Sequence, residues 1–241
     1  MRLLPFRMHR HPPTLLRFSL EGFPMAGYFL YSLDAEKFNQ FVIDPTDKQM
    51  FAFADVVSER LDYFNEEEGK ILAEWPVDPQ ELAPILRERL AQDDWYVDLS
   101  DYEKSIFESS VDDYLSEKKS GLGYRPESNM GIYWDVIEII RSYHRVPNSQ
   151  VNDKIISRFG TTPFRGMPDQ SKRRSFMSWH PMHSLHLSED VVKLRDEVLA
   201  AQEAVMGSDD EGAKRDYENE LTPALDRLVA KGRILLVNVD T

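Results

Sequence analysis

The chain contains no cysteine among its 241 residues. Disulfide frameworks, thiolate nucleophiles and thiolate-bound zinc are therefore excluded. The chain also lacks any apolar run near the roughly 20 residues that cross a bilayer, so we expect no membrane association. The absence of cysteine fits a reducing compartment, and we expect the protein to be cytoplasmic.

Several sequence signatures of enzymes are absent as well. The chain has no Walker loop, no Gly-x-Gly-x-x-Gly or Gly-x-Ser-x-Gly turn, no His-Glu-x-x-His pair and no EF-hand loop. Each of these motifs places backbone amides, a nucleophile or metal ligands at a fixed spacing. Their absence disfavours the common nucleotide-dependent and serine-hydrolase families. We expect no cofactor, and the sequence leaves open whether the protein is an enzyme.

Basic residues are scarce, because 29 Lys and Arg stand against 42 Asp and Glu, for a net charge of −13. An acidic surface repels nucleic acid and anionic lipid, so we expect no nucleic-acid partner. A basic protein surface, or a small anionic ligand held by a local basic cluster, remains as a partner. Nothing in the sequence indicates the oligomeric state. Hydrophobic residues make up 41% of the chain, which is enough for a sizeable core.

Residues 1–24 differ from the rest because they carry four arginines and a single acid, Glu21. Charged, histidine and proline residues interrupt every apolar stretch that could act as a secretory signal. Three interpretations remain: a disordered basic arm, a segment packed on the body, or an extension upstream of a natural start at Met25. The apolar strand that follows Met25 favours the first or the third. We expect a basic arm over 1–24 and a single domain over 25–241.

Two apolar segments near the ends of the chain predict β-strands, Gly27–Leu33 and Arg233–Asp240. Both are too apolar to be left exposed, so we expect them to pair in one sheet. The sequence between them is rich in helix-start signals. We therefore predict an α+β fold, a mainly helical single domain packed around a small sheet formed by the N- and C-terminal strands. The Gly- and Pro-containing stretch Lys118–Asn129 predicts a loop, and a sub-boundary near 121–129 is the alternative to one domain.

Helix starts are marked by side-chain oxygens that precede an apolar periodicity. Asp34, Asp78 and the capping boxes Thr46–Gln49 and Ser100–Glu103 predict four helices in the first half of the chain. We expect Ser188 to cap a further long helix in the second half.

Two stretches are expected to interrupt helices. The acidic stretch Asn65–Gly69 is interpreted as the start of a separate short helix or turn. Thr222-Pro223 is interpreted as a kink or restart within a helix over 213–231, because proline cannot donate the helical hydrogen bond.

Side-chain chemistry concentrates in residues 158–186, which hold five cations and three regularly spaced histidines among glycines and prolines. Arginine matches phosphate and carboxylate through two-point contacts, and imidazole is a common base and metal ligand. The cations are equally suited to pairing with the protein's own carboxylates. Our candidate ligand-binding residues are Arg158, Arg165, Lys172, Arg173, Arg174, His180, His183 and His186.

The three histidines support a metal centre poorly. Pro181 disfavours one continuous helix through them, and a spacing of three on a strand places His183 on the opposite face from its neighbours. Only an irregular loop gathers all three. We prefer surface or hydrogen-bonded histidines beside a helix start, with metal binding and acid–base catalysis as alternatives, and we assign no metal and no catalytic residue.

The last segment of the chain, Leu225–Val239, runs as a helix, the pair Lys231-Gly232 and an apolar strand. In this pattern it resembles the end of bacterial proteins of the YfbM-like kind, for which no function is established. The resemblance covers this segment alone and implies no activity, because no catalytic motif comes with it.

Two classes of function follow. The capped helices, the acidic surface and the missing catalytic motifs favour a non-catalytic binding or interaction protein. The alternative is an enzyme that acts on a small anionic substrate through a His/Arg site in residues 158–186. A pocket that collects these histidines and arginines would favour the enzyme, and an acidic face with those residues scattered would favour the binding protein.

Overall fold

The protein is organised around a four-stranded antiparallel sheet. The structure, a computed structural model, describes residues 27–68, 75–92, 98–116, 120–129, 131–146, 153–160 and 183–240. Its strands are β1 (Gly27–Leu33), β2 (Arg125–Pro126), β3 (His183–His186) and β4 (Ile234–Asp240). Their order across the sheet is β2-β1-β4-β3, so the first and last strands are neighbours. The predicted pairing of the N- and C-terminal strands in one sheet is confirmed, from Gly27 opposite Asp240 to Leu33 opposite Ile234.

The side chains of β1 and β4 alternate between two hydrophobic cores. Leu30 of β1 and Leu235 of β4 belong to one core, and Leu33 and Leu236 belong to the other. Successive strand residues point to opposite faces of a sheet, so strands this uniformly apolar need cover on both faces. Helices supply that cover, and the sheet is the middle of three layers. The predicted α+β class, mainly helical around a small sheet, is confirmed.

Four helices of the described chain pack on the face that Leu33 and Leu236 reach. We call residues 34–68, 75–92 and 98–116 the first layer. Its helices are α1 (Ala35–Ile43), α2 (Asp47–Glu68), α3 (Pro79–Leu90) and α4 (Asp101–Ser116).

The four predicted helix starts of this layer are confirmed. The Asp34 carboxylate accepts a hydrogen bond from the amide of Lys37 at 3.1 Å, and Asp78 caps α3 in the same manner. The capping boxes Thr46–Gln49 and Ser100–Glu103 each close in both directions, side chain to amide. These contacts pair amides that the first helical turn leaves without partners.

The acidic stretch Asn65–Gly69 does not start a separate element, contrary to expectation. Residues 65–68 form the last turn of α2. Glutamate is a good helix former, and the sequence offers no glycine or proline to end the helix before Gly69. The acidic residues therefore extend the preceding helix.

The opposite face of the sheet is covered by the second layer, which we define as residues 131–146, 153–160 and 188–230. Its elements are α5 (Trp134–Tyr143), a 3-10 helix (Ile155–Arg158), α6 (Ser188–Ala200), α7 (Gln202–Met206), α8 (Glu211–Asp216), a π-helical turn (Tyr217–Leu221) and α9 (Thr222–Ala230).

One predicted detail of this layer takes a different form. Ser188 is the first residue of α6 rather than its cap, and its hydroxyl donates to the carbonyl of Gly232 at 2.9 Å. The predicted restart at Thr222-Pro223 is confirmed, because α9 begins at Thr222 directly after the π-helical turn. Proline has no amide hydrogen and crowds the turn before it, so a wider turn accommodates Pro223.

The stretch predicted as a loop, Lys118–Asn129, carries β2 and is bonded to β1 in its described part. The amide of Asp34 donates to the carbonyl of Leu122 at 2.9 Å, and the amide of Leu30 donates to the Ser128 hydroxyl at 3.1 Å. These bonds satisfy the outer edge of β1, which the two residues of β2 cover only in part.

Two earlier predictions stay untested. The basic arm over residues 1–24 lies outside the described residues. The alternative domain boundary near 121–129 stays a prediction. Among the helices that the structure describes, none combines the length and the apolar character that crossing a bilayer requires.

Replacing Leu235 with alanine tests the two-core arrangement. Leu235 is fully buried on a central strand, so we expect the free energy of unfolding to fall by about 2–5 kcal/mol. Ile43→Ala is the matched control, because Ile43 is 59% exposed and its loss should cost less than about 0.5 kcal/mol. Urea titration followed by circular dichroism measures both. Equal effects of the two substitutions would contradict the placement of β4 between two cores.

Candidate functional site

The structure describes three of the eight predicted ligand-binding residues. Arg158 ends the 3-10 helix, and His183 and His186 are the first and last residues of β3. For His183 only the backbone is described, paired with Asn238. The remaining candidates lie outside the described residues: Arg165, Lys172, Arg173, Arg174 and His180.

His186 lies in the interior of the protein. It is 0% exposed and sits opposite Leu235 in the sheet. Its ring stacks on that of Phe159, with 6.0 Å between the ring centroids. Burial, with a smaller contribution from the positive charge of Arg158, lowers the pKa of His186 from 6.5 to about 3. The imidazole is therefore neutral near pH 7.

The polar partner of His186 is Ser184, two residues earlier on the same face of β3. The Ser184 hydroxyl oxygen lies 2.9 Å from Nε2 of His186 and accepts a hydrogen bond from the Gly160 amide at 2.8 Å. Nδ1 of His186 has no hydrogen-bond partner within the described ranges. A single serine hydroxyl thus links the end of the 3-10 segment to the buried histidine.

Arg158 belongs to an ion pair rather than to an open anion site. Its guanidinium lies 3.6 Å from the carboxylate of Asp190 on α6, and both side chains are largely buried. Lys193 lies 3.8 Å from the same carboxylate. The sequence left two roles open for these cations, binding an anionic ligand or pairing with the protein's own carboxylates. Arg158 pairs with a carboxylate of the protein.

Residues 155–160 are held in place from two helices. The Glu197 carboxylate of α6 accepts hydrogen bonds from the amides of Ile155 and Ile156, at 3.1 and 2.9 Å. At the other end, Arg141 of α5 donates to the carbonyl of Phe159 at 2.7 Å. Charged groups thereby satisfy both ends of this short segment. The neighbourhood of His186 is consequently built from fixed backbone.

The Ser184–His186 pair has the spacing of a nucleophile and its base, but its surroundings differ from those of a catalytic pair. The residues are 4% and 0% exposed, and Nδ1 lacks the orienting acceptor that a triad supplies. A base with a pKa of about 3 also takes up protons weakly near neutrality. Within the described ranges, no three His, Asp or Glu residues are grouped so as to hold a metal ion. The pair acts here as a polar link inside the second layer.

The negative charge of the protein is concentrated in the sequence segment 34–116, which contains the first layer. Residues 34–116 carry 22 acidic and seven basic side chains, whereas residues 117–241 carry 19 and 18. This segment therefore accounts for the whole excess of acidic over basic residues. Counting charges by segment of the sequence reveals this asymmetry, whereas comparing residues 1–24 with the remainder does not.

The exposed face of α2 combines carboxylates with aromatic rings. We define the α2 face as Phe51, Asp55, Glu59, Asp62 and Tyr63, whose spacing places them on one side of a helix. Phe51 is 47% exposed and Tyr63 is 50% exposed, and the three carboxylates are exposed as well. Sequence analysis missed this face. The available signal was that both aromatic residues fall outside the apolar stripe of α2.

Comparisons with known proteins add no relative, because no family model, curated protein or solved structure matches the chain. The resemblance of Leu225–Val239 to YfbM-like proteins therefore stays a prediction.

Replacing Ser184 with alanine tests the link. The substitution leaves the buried Gly160 amide and His186 Nε2 without their partner, so we expect a loss of about 1–3 kcal/mol in the free energy of unfolding. Ser142→Ala is the control, because Ser142 is exposed on α5 and should change stability by less than about 0.5 kcal/mol. Denaturant titration gives both values. A Ser184→Ala protein as stable as the control would show that the link contributes nothing.

Proposed function

We propose that the protein is a non-catalytic, cytoplasmic binding protein whose first layer receives a basic surface of a protein partner. The observation that carries the proposal is the segregation of charge. An excess of 15 negative charges falls within residues 34–116, while residues 117–241 are close to neutral. Charge of one sign on one side of a protein steers a partner of opposite sign toward that side.

The spacing of the carboxylates on the α2 face strengthens this attraction. Asp55 and Asp62 are seven residues apart, or about 10 Å along a helix, with Glu59 between them. This span is close to the screening length of about 8 Å at physiological salt. The electrostatic potentials of the three carboxylates therefore add at a cation bound near the middle of the face.

The aromatic residues of the α2 face supply binding free energy that the carboxylates alone cannot provide. An exposed ion pair between a carboxylate and a cation contributes only about 0.2–1 kcal/mol. Phe51 and Tyr63 flank the carboxylates, about 18 Å apart along the helix, and each exposes close to half of its surface. Aromatic side chains dominate interface energies when a partner buries them. The partner that fits is a basic segment with an apolar residue toward each end.

The alternative, an enzyme for a small anionic substrate, stays a prediction. It depends on Arg165, Lys172, Arg173, Arg174 and His180, which the structure does not describe. Its described members contribute less than the sequence suggested, since Arg158 is paired with Asp190 and His186 is buried.

The proposal is tested by titrating the 15N-labelled protein with two synthetic peptides. One is octalysine, and the other is a lysine-rich peptide with leucine at both ends. We expect chemical-shift changes centred on residues 51–63, and tighter binding of the leucine-capped peptide because it covers both rings. Substituting Asp55→Asn, Glu59→Gln and Asp62→Asn together should weaken binding about 3- to 150-fold, the combined effect of losing three exposed ion pairs.

A matched control removes the same charge from the second layer, through Glu189→Gln, Glu203→Gln and Glu218→Gln, all of which are exposed. Binding should survive this substitution within about twofold, because only long-range attraction changes. If the two triple substitutions weaken binding equally, then the net charge of the protein, and not the α2 face, determines the affinity. Shift changes confined to residues 117–240 would contradict the proposal outright.

A further inference from the structure

We infer that His186 and Ser184 form a proton-sensitive link that fastens Gly160, the last residue of the segment 155–160, to β3 at neutral pH and releases it as the solution becomes acidic. The inference is independent of the proposed binding function. It concerns a polar cluster inside the second layer, on the other side of the sheet from the α2 face.

The link is a short chain of contacts between two separate segments. The Gly160 amide donates to the Ser184 hydroxyl at 2.8 Å, and that oxygen lies 2.9 Å from Nε2 of His186. Phe159, beside Gly160, stacks on the His186 ring. Both the contact with Ser184 and the stacking with Phe159 therefore depend on one imidazole in one position.

A proton on His186 would disrupt this arrangement in two ways. Protonated imidazole donates from both nitrogens, and Nδ1 would then be a buried donor without an acceptor within the described chain. The ring would also carry a charge at a site that is 0% exposed. An unsatisfied buried charge is far more costly than a neutral buried imidazole.

The charged groups around His186 reinforce the effect. Arg158, from the 3-10 helix, places a positive charge near the ring and disfavours a second one. Two acids of α6 contact residues 155–160, and both are engaged. The Asp190 carboxylate lies 3.6 Å from Arg158 and 3.8 Å from Lys193, and the Glu197 carboxylate accepts from the amides of Ile155 and Ile156. From β4, the residues opposite Ser184 and His186 are Val237 and Leu235, which carry no charge. An acid free to neutralise a protonated His186 is thus missing from the described surroundings.

The direction of the pH dependence follows from linkage. The pKa of His186 is about 3 when the link is closed and returns toward 6.5 when the ring reaches water. The open form therefore binds the proton first. Above about pH 6.5 the population of the open form is at its lowest. Below that pH we expect this population to rise by up to tenfold for each pH unit, until the buried ring itself becomes protonated near pH 3.

Hydrogen exchange of the Gly160 amide in the full chain measures this opening directly. We expect its protection factor, corrected for intrinsic exchange, to be constant above pH 6.5 and to fall close to tenfold per unit between pH 6 and 4. The amide of Asp34, bonded to the Leu122 carbonyl without a titrating partner, is the internal control and should show a smaller slope. His186→Gln keeps a neutral acceptor near the Nε2 position and should abolish the slope at Gly160.

Three results would overturn the inference. A protection factor at Gly160 that does not change with pH would show that the link is not sensitive to protonation. Parallel loss at Gly160 and Asp34 would show that the whole fold opens rather than the link. If the His186→Gln protein fails to fold, the histidine ring of the native protein can be followed by NMR instead, and a titration midpoint near 6.5 in the folded state would contradict a closed, buried link.

Discussion

Strands β1 and β4 are neighbours in the middle of the sheet, and each sends alternate side chains into opposite cores. Leu30 and Leu235 enter the second-layer core, while Leu33 and Leu236 enter that of the first layer. Two apolar faces must both be removed from water, so helices are required on each side. The first layer follows β1 along the chain, and the second layer precedes β4. The polar groups of the protein are consequently divided between two separate exteriors.

The sequence predicts well those structural features that depend on interactions between residues close together in the chain. A capping box acts between residues three apart, and the boxes Thr46–Gln49 and Ser100–Glu103 are formed as expected. The pairing of the terminal strands was also predictable, because few segments are as apolar. By contrast, the burial of His186 depends on Phe159 and Leu235, which are distant in sequence. No local pattern of histidines or cations carries that information, so the predicted site was only partly informative.

The two exteriors have different electrostatic characters, and the proposed binding function rests on this difference. In the second layer, cations and acids neutralise each other, as Arg158 and Asp190 do inside the structure and Arg195 and Asp226 do at its surface. In the first layer, acids outnumber bases threefold. Charge segregation of this kind costs self-repulsion, and binding of the proposed basic partner would offset that cost. The α2 face, with its two exposed rings, is the part of the layer best suited to short-range contact.

Carbodiimide cross-linking of the protein in cell extract, followed by mass spectrometry, tests the central claim most directly. The reagent joins a carboxylate to a lysine amine without a spacer, so each product reports a direct contact. The account predicts products that join Asp55, Glu59 or Asp62 to lysines of one partner and that disappear at about 0.5 M salt, where screening shortens to a few ångströms. Products confined to acids of residues 117–240, or insensitive to salt, would contradict it.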